Sequence, residues 1–214
     1  AELGLSLDLP VLCTPEMARR LHPGLPTRGL AGLAGYYGYQ LKELKRGRDQ
    51  IDATRLIWQN LVRILDGNGL TSLAALQNWL ENEKPVKKAK HEYPLPREKR
   101  LALPDAPGVY RMLGKNREVL YVGKATSLRA RVNSYFRGQK NRDRYKLEML
   151  TQVWDLDVTV CATPLEAALL ESDEIKKWNP RYNISLKLEG RQLAFYSRDF
   201  LSVSAQQDEG HPVG

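Results

Sequence analysis

Two short apolar runs, Val109-Tyr-Arg-Met-Leu113 and Val119-Leu-Tyr-Val122, flank the turn-forming stretch Gly114-Lys-Asn-Arg-Glu118. That is the pattern of a β-hairpin, and it constrains the fold more than anything else in the chain. The second run is continuously apolar, which predicts a central strand buried on both faces. Helical spacing follows. Thr126 to Phe136 places Leu128, Val132 and Phe136 on one face, and Arg142 to Leu150 forms a second, basic helix. Trp154, Leu156, Val158 and Val160 then alternate with Asp155, Asp157 and Thr159, predicting a third strand with one buried face. Thr163-Pro-Leu-Glu166 is a capping box with proline in the first helical position. Its helix runs to about Trp178, where Asn179-Pro180 ends it. The order β-β-α-α-β-α has a hairpin and no parallel βαβ repeat, which predicts an α+β fold.

Upstream the pattern is helical. Val11-Leu-Cys13 reads as a short strand, and Thr14-Pro15-Glu16 as a helix start with Thr14 as N-cap. Pro23-Gly-Leu-Pro26 breaks that helix, and Leu30 to Tyr39 is an apolar, glycine-rich tight helix or turn. Asp49 to Leu65 is the clearest helix here, with Ile51, Leu56, Trp58, Leu61, Val62 and Leu65 near a 3.6 period. Gly67-Asn68-Gly69 stops it. Thr71 caps a further helix ending near Glu81. The chain divides into a helical region over 1–82, a basic, proline-containing linker over 83–102, a second domain over 103–190 and a tail over 191–214, whose last ten residues are expected to be mobile.

The charge sits in the middle. Lys and Arg total 33 of 214 residues against 25 Asp and Glu, a net +8. Residues 83–100 hold seven basic and three acidic side chains, and residues 110–150 eleven and three. Cations clustered beside Tyr and Phe fit a phosphate-binding surface, and equally fit solvated helix faces. No apolar run reaches membrane-spanning length, and the acidic start Ala1-Glu2-Leu3 is not a signal peptide. Cys13 and Cys161 are the only cysteines, too few for a disulfide framework, so a reducing cytoplasm is expected and both read as small buried residues. His22, His91 and His211 show no ligand spacing. A chain that opens on Ala rather than Met is expected to be trimmed, processed or a piece of a longer one.

The second domain is specific enough to compare with a family. Gly108-Val109-Tyr110 followed by Tyr121-Val122-Gly123 resembles the paired strand motif of the GIY-YIG endonucleases, and more closely the UvrC/Cho type. The lead-in Leu103-Pro-Asp-Ala-Pro-Gly-Val-Tyr110 and then Tyr121-Val-Gly-Lys-Ala125, Leu128-Arg-Ala-Arg-Val132 and Ser134-Tyr-Phe136 continue the resemblance. Glu166-Ala, Leu170-Glu171, Ile175-Lys-Lys177 and Asn179-Pro-Arg-Tyr-Asn183 complete it over about 103–188. It implies a small three-stranded antiparallel sheet flanked by helices, and hydrolysis of DNA.

Cleaving a phosphodiester requires an activated water, a stabilised pentacovalent phosphate and a neutralised leaving oxygen. The resemblance makes Glu171 the ligand of one Mg²⁺ or Mn²⁺ ion, which takes few protein ligands and keeps several waters. It makes Tyr121 the candidate general base. Ionising a phenol at neutral pH costs about 4 kcal/mol, so a nearby cation must offset that, with Lys124 the natural one in sequence. Arg131 and Tyr135, four apart, project from one helix face; the resemblance has Arg131 hold the scissile phosphate and Tyr135 hydrogen-bond it or the water. Tyr110 completes the aromatic site, and Asn183 supports it or contacts the phosphate. Arg129, Arg137, Lys140, Arg142, Arg144 and Lys146 are expected to grip the DNA backbone. Taken singly, the tyrosines read as half-buried strand residues, Arg131 as a surface cation, Glu171 as a helix carboxylate paired with lysine and Asn183 as a turn residue; together, at these spacings, they read as a site.

Residues 8–65 resemble the C-terminal half of a DEDDh exonuclease. The Asp-x-Glu strand of that family is absent, Asp52 fits its last acidic position, and Gly47 stands where its histidine is expected. One carboxylate cannot assemble a two-metal site, so no exonuclease activity is expected. With its sheet missing, the region is expected either to pack apolar helix faces on a partner or to fold loosely. The GIY-YIG resemblance implies a metal-dependent endonuclease acting on damaged double-stranded DNA in nucleotide excision repair, alongside damage-recognition proteins. The rival is a catalytically idle DNA-binding scaffold. Incision on the 3′ side of a lesion rests on family analogy alone.

Overall fold

A computed structural model describes residues 11–41, 47–85, 91–137, 143–184, 195–199, 201–204 and 208–210. Four helices open it: α1 (Thr14–Leu21), α2 (Leu30–Tyr36), α3 (Gly47–Gly67) and α4 (Leu73–Asn82). A short α5 (Arg97–Leu101) precedes the strands β1 (Gly108–Leu113) and β2 (Val119–Ala125). Then come α6 (Leu128–Ser134), α7 (Arg144–Gln152), β3 (Asp155–Val160) and α8 (Pro164–Trp178). Two-residue strands β4 (Phe195–Tyr196) and β5 (Val203–Ser204) pair antiparallel near the end. Among the described residues no helix is long and apolar enough to cross a membrane.

The α+β fold expected for the second domain is the one observed. β1, β2 and β3 form an antiparallel sheet in the order β2-β1-β3. β1 is therefore central and β2 an edge strand, the reverse of the reading from apolarity. β2 is apolar because helices cover it and because the chain after α8 closes its outer edge. One face of the sheet packs Tyr110 and Met112 against Leu128, Val132, Met149 and Leu150 of α6 and α7. The other packs Val109 and Val122 against Ala167 and Ile175 of α8. Val160, read as buried, is 54% exposed at the end of β3.

Local chemistry sets the boundaries. Ser127, Asp143 and Thr163 cap α6, α7 and α8 through their side-chain oxygens. Glu166 accepts from the Ala162 amide at 2.7 Å, completing the reciprocal pattern one residue earlier than in the ideal box. Asn179 ends α8 in the left-handed region at φ 42°, a conformation asparagine tolerates better than most residues. Gly69, at φ 80°, ends α3. Two N-terminal caps differ from the reading: Ser72 rather than Thr71 caps α4, and Cys13 occupies the cap position of α1 with no side-chain bond. Residues 11–13 form no strand, and Cys13 is exposed while Cys161 is buried.

The helical region has its own core, built on Met17, Leu33, Ile57, Leu61 and Leu65. Ile51 and Leu73 stay exposed outside that core. α2 presents Ala31, Gly32, Leu33, Ala34 and Gly35, all buried, and packs on α7. Trp154 stacks on Tyr36 with ring centroids 5.3 Å apart and donates to the Tyr36 carbonyl at 3.1 Å. Arg181 donates to the Leu41 carbonyl at 2.7 Å, and Asn116 to the Gly38 carbonyl at 2.7 Å. The segment read as a linker is also structured in part: it contains α5, buries Leu95 in the sheet core and sets Tyr93 edge-on against Phe136. Hydrophobic periodicity missed it because a five-residue helix is too short to show one.

Candidate active site

Strand register gathers the aromatic half of the site. Tyr110 lies opposite Gly123 across the β1–β2 ladder, and Met112 opposite Tyr121. Tyr110, Tyr121 and Gly123 thus share one face. A Cβ on Gly123 would lie 2.5 Å from the Tyr110 Cζ, so glycine leaves the space that ring fills. Gly108 is constrained in the same way, since a Cβ there would collide with the Thr159 carbonyl on β3. The register slips at the far end of the hairpin, leaving Leu120 as an extra buried residue beside Tyr121. Tyr135, at the C-terminal cap of α6, closes the group. The three tyrosine rings stand 6.1–6.2 Å apart, and the Tyr110 and Tyr135 hydroxyls lie 2.9 Å from each other.

Burial pushes the pKa values of both Tyr110 and Tyr121 up, and Tyr135 pushes both in the same direction, whereas the hydrogen bond with Tyr110 lowers that of Tyr121. Arg131 opposes both shifts. Its guanidinium sits 5.5 Å from the centre of the Tyr135 ring, and the facing phenols raise its own pKa. Arg131 and Tyr135 share a helix face as their spacing requires.

The carboxylate arrives from the other side of the sheet. α8 is fixed there by Glu174, buried and paired with Arg111 of β1; Asp157 and Thr159 also take hydrogen bonds from that arginine, at 3.2 and 3.1 Å. Glu171, one turn earlier, reaches the rim of the edge strand, where it accepts from the Lys124 amide at 3.0 Å and pairs with the Lys124 ammonium at 3.2 Å. Lys124 therefore serves Glu171, and the cation facing Tyr121 is Arg131. The sequence placed Lys124 beside Tyr121 because they are three residues apart, but alternation along a strand sends their side chains to opposite faces.

Asn183 completes the edge. Its Oδ1 accepts from the Val122 amide at 2.9 Å, and its Nδ2 donates to the Val122 carbonyl at 2.8 Å. The Tyr182 amide donates to the Leu120 carbonyl at 3.0 Å. Asn183 is thus buried with both amide atoms bonded to β2, the arrangement that supports the strand rather than one aimed at a phosphate.

All seven residues expected to do chemistry (Tyr110, Tyr121, Lys124, Arg131, Tyr135, Glu171 and Asn183) line one cleft of about 500 Å³. Lys146, expected on the DNA backbone, lines it too. So does Tyr145, which sequence reasoning missed; it stacks on Tyr182 and donates to the Arg181 carbonyl at 2.9 Å. Its only sequence signal was an aromatic among the cations of α7. Of the other residues expected on the DNA backbone, Arg129 pairs with Asp105 at 3.2 Å on the far side of α6, and Arg137 is exposed nearby. Arg144 is exposed near the α2 junction at Gly29. Lys140 and Arg142 lie outside the described residues.

A hydrated divalent cation suits this donor set. Glu171 already offers its carboxylate to a positive group at the mouth of the cleft, and one carboxylate with water is an ordinary Mg²⁺ environment.

Residues 106–184 match the UvrC-like GIY-YIG domain family. The UvrABC system protein C of Alkalilimnicola ehrlichii is 51% identical over 86 residues, which is 40% of this chain and 14% of that protein. Its counterpart in Xanthomonas campestris pv. campestris is 52% identical over 85 residues, again 40% and 14%. The chain thus spans about one seventh of the length of these relatives. The crystal structure of the GIY-YIG N-terminal endonuclease domain of UvrC from Thermotoga maritima, bound to its catalytic magnesium, is 33% identical. It covers 41% of this chain and 94% of that one, with a TM-score of 0.37. The family match leaves residues 8–65 outside, and the comparisons give no support to their exonuclease resemblance.

Proposed function

We propose, from the UvrC-like GIY-YIG domain at residues 106–184, that this chain is a metal-dependent DNA endonuclease that hydrolyses one phosphodiester bond in damaged DNA during nucleotide excision repair. The observation that carries the reading is the convergence of three tyrosine rings, Arg131 and the Glu171 carboxylate around one cleft, from both faces of a three-stranded sheet. Damaged duplex as substrate, damage-recognition proteins as partners, a single Mg²⁺ or Mn²⁺ ion, a cytoplasmic setting and incision on the 3′ side all belong to this proposal.

The chain's own residues divide the work. Arg131, exposed beside Tyr135, takes a phosphate oxygen and stabilises the charge that gathers on phosphorus. The resting Tyr121 is a protonated phenol, since burial raises its pKa. Its oxygen accepts a hydrogen bond from the attacking water and orients it. To act as general base Tyr121 must first release its phenolic proton to solvent; positive charge at the cleft lowers the cost of that ionisation, and Arg131 already acts in that direction. Tyr110 and Tyr135 fix the ring through their shared hydroxyl contact, and Asn183 holds the strand that carries it. Glu171 would hold the divalent ion, which when bound neutralises phosphate charge and acidifies water facing it. For residues 14–67 we propose a brace that docks on α7, keeping the outline of half an exonuclease without its chemistry.

Purified full chain on lesion-bearing duplex DNA, with Mg²⁺ or EDTA, tests the reading. Mg²⁺-dependent nicking that Glu171→Ala or Tyr121→Phe lowers by at least about 100-fold is expected for loss of a general base or metal ligand. Wild-type rates in either variant would remove the site assignment, and tight binding without nicking would favour the scaffold reading.

A further inference from the structure

Beside the catalytic cleft, α6 separates two more concavities. A notch of about 500 Å³ shares Lys124 and Arg131 with the cleft. A groove of about 860 Å³ between α5 and α6 shares Ser127 and Ala130 with the notch. The three hollows therefore form one trough that crosses α6. Where it crosses, the helix carries only small side chains, Ser127, Ala130 and Ser134, between Arg131 and Arg129. The groove beyond is basic: Arg97 and Arg100 come from α5, and Arg129 and Arg137 flank α6. Against these four stand Glu92 and Asp105, and Asp105 is already engaged by Ser127 and Arg129. Its wall is firm, because Arg100 stacks 4.8 Å from the Phe136 ring centre and donates to Asn133 at 2.6 Å.

We infer that this groove holds the sugar–phosphate backbone of the strand being cut, beyond the phosphate in the cleft. The inference rests on the nuclease reading above and adds to it a second anchoring site, part of which lies outside the matched domain. A helix is about 10 Å across, and a duplex strand advances about 3.4 Å per nucleotide along its axis. The groove therefore meets the backbone about three nucleotides from the scissile phosphate. Small residues at the crossing let the strand lie close to the helix, and arginines on either side give it two separated anchors. Such contacts position the duplex without reading its bases.

The test uses full-length Glu171→Gln protein, which keeps a hydrogen-bond acceptor for Lys124, with fluorescein-labelled duplex DNA and anisotropy over a range of salt concentrations. Adding Arg97→Glu and Arg129→Glu is expected to weaken binding about tenfold or more and to reduce the salt slope by about 2, one for each phosphate that an arginine no longer neutralises. Arg63→Glu on α3 serves as the remote control. The softer pair Arg97→Gln and Arg129→Gln, with circular dichroism on every variant, guards against misfolding. Folded groove variants that bind with the affinity and salt slope of the Arg63→Glu control overturn the inference. Nicking by wild-type protein is scored separately: groove-dependent binding without nicking keeps the groove and removes the nuclease, whereas nicking with groove-independent binding does the reverse.

Discussion

Tyr110 and Gly123 face each other across the β1–β2 ladder, and the ring of one occupies the space the other leaves empty. The two halves of the motif are thus one packing arrangement. A methyl group at 123 would sit 2.5 Å from the Tyr110 Cζ and 2.8 Å from the Tyr121 Cε1, displacing both phenols. Overpacking of this kind costs about 1–3 kcal/mol. Gly123→Ala is therefore expected to lower the melting temperature by about 2–12 °C. Nicking should fall by far more than that stability loss explains, because both displaced rings belong to the site. Calorimetry beside a plasmid-nicking assay measures the two effects, and intact nicking in the variant would contradict the packing account.

Asn183 mimics a neighbouring strand for Val122. Asn183→Ala leaves the Val122 amide and carbonyl without their partners at a covered edge. Stranding a buried polar group costs about 1–3 kcal/mol. The expected signature is faster amide exchange at Val122 and Tyr121 and a reduced kcat, with the KM for duplex DNA nearly unchanged, because the side chain is spent on β2 and touches no phosphate. A large rise in KM with normal kcat would instead make Asn183 a substrate ligand.

These two residues show what the sequence could and could not disclose. The tyrosines, glycines and Arg131 were legible because strand alternation and helical i,i+4 spacing are local, and they fix which side chains share a face. Asn183 was visible as a motif position, but its role depends on where β2 lies in the sheet. Apolarity suggested a central strand, whereas β2 is an edge closed by the returning chain. Lys124 was misassigned for a related reason: its partner Glu171 is 47 residues away and reaches it around the sheet edge. The docking of α2 on α7 left no trace in either segment alone, since small apolar residues serve an internal core as well as an interface.

Glu171 exchanges one cation for another in the proposed cycle, so a neutral isostere separates the two roles. Glu171→Gln retains an acceptor for the Lys124 amide and loses the charge that holds the ammonium 3.2 Å away. The Lys124 end of that pair is half exposed although Glu171 is largely covered, and loss of the pair should cost about 1 kcal/mol. Mg²⁺ is expected to raise the melting temperature of the wild-type protein and leave the variant unmoved, while nicking disappears. An equal Mg²⁺ stabilisation in both proteins would place the ion elsewhere.

Arg181 joins the helical region to the strand edge. It donates to the Leu41 carbonyl at 2.7 Å, and the next two residues close β2. Arg181→Ala should loosen the seam between α2 and α7 while leaving both cores intact. Limited proteolysis is expected to cut faster on either side of residue 41, and nicking to fall modestly, by about two- to fivefold, as for a positioning group about 1 kcal/mol strong. Proteolysis at the wild-type rate would show that the other seam contacts, those of Trp154, Asn116 and Gln40 among them, hold it without Arg181.

His22 gives the helical region a pH dependence of known sign. Its Nε2 lies 2.6 Å from the Tyr37 hydroxyl, its ring packs on Tyr36 and Tyr37, and Arg28 donates to its carbonyl at 2.9 Å. Burial, reinforced by the Arg28 charge, lowers its pKa below the ordinary 6.5. Above that value the imidazole is neutral in both the folded and unfolded chain, and it contributes no slope. As the pH falls below 6.5 the unfolded chain takes up the proton first, so stability declines until the folded-state pKa is reached and then levels off. Urea unfolding monitored by circular dichroism should therefore show a midpoint that drops between about pH 7 and pH 5 in the wild type. In His22→Gln, which keeps a hydrogen-bonding group near Tyr37 but has no proton to gain, the drop should be smaller. Equal drops in the two proteins would show that His22 is not the source; Asp105 and Asp155, both held below the ordinary range by their hydrogen-bond partners, lose their contribution only below about pH 5.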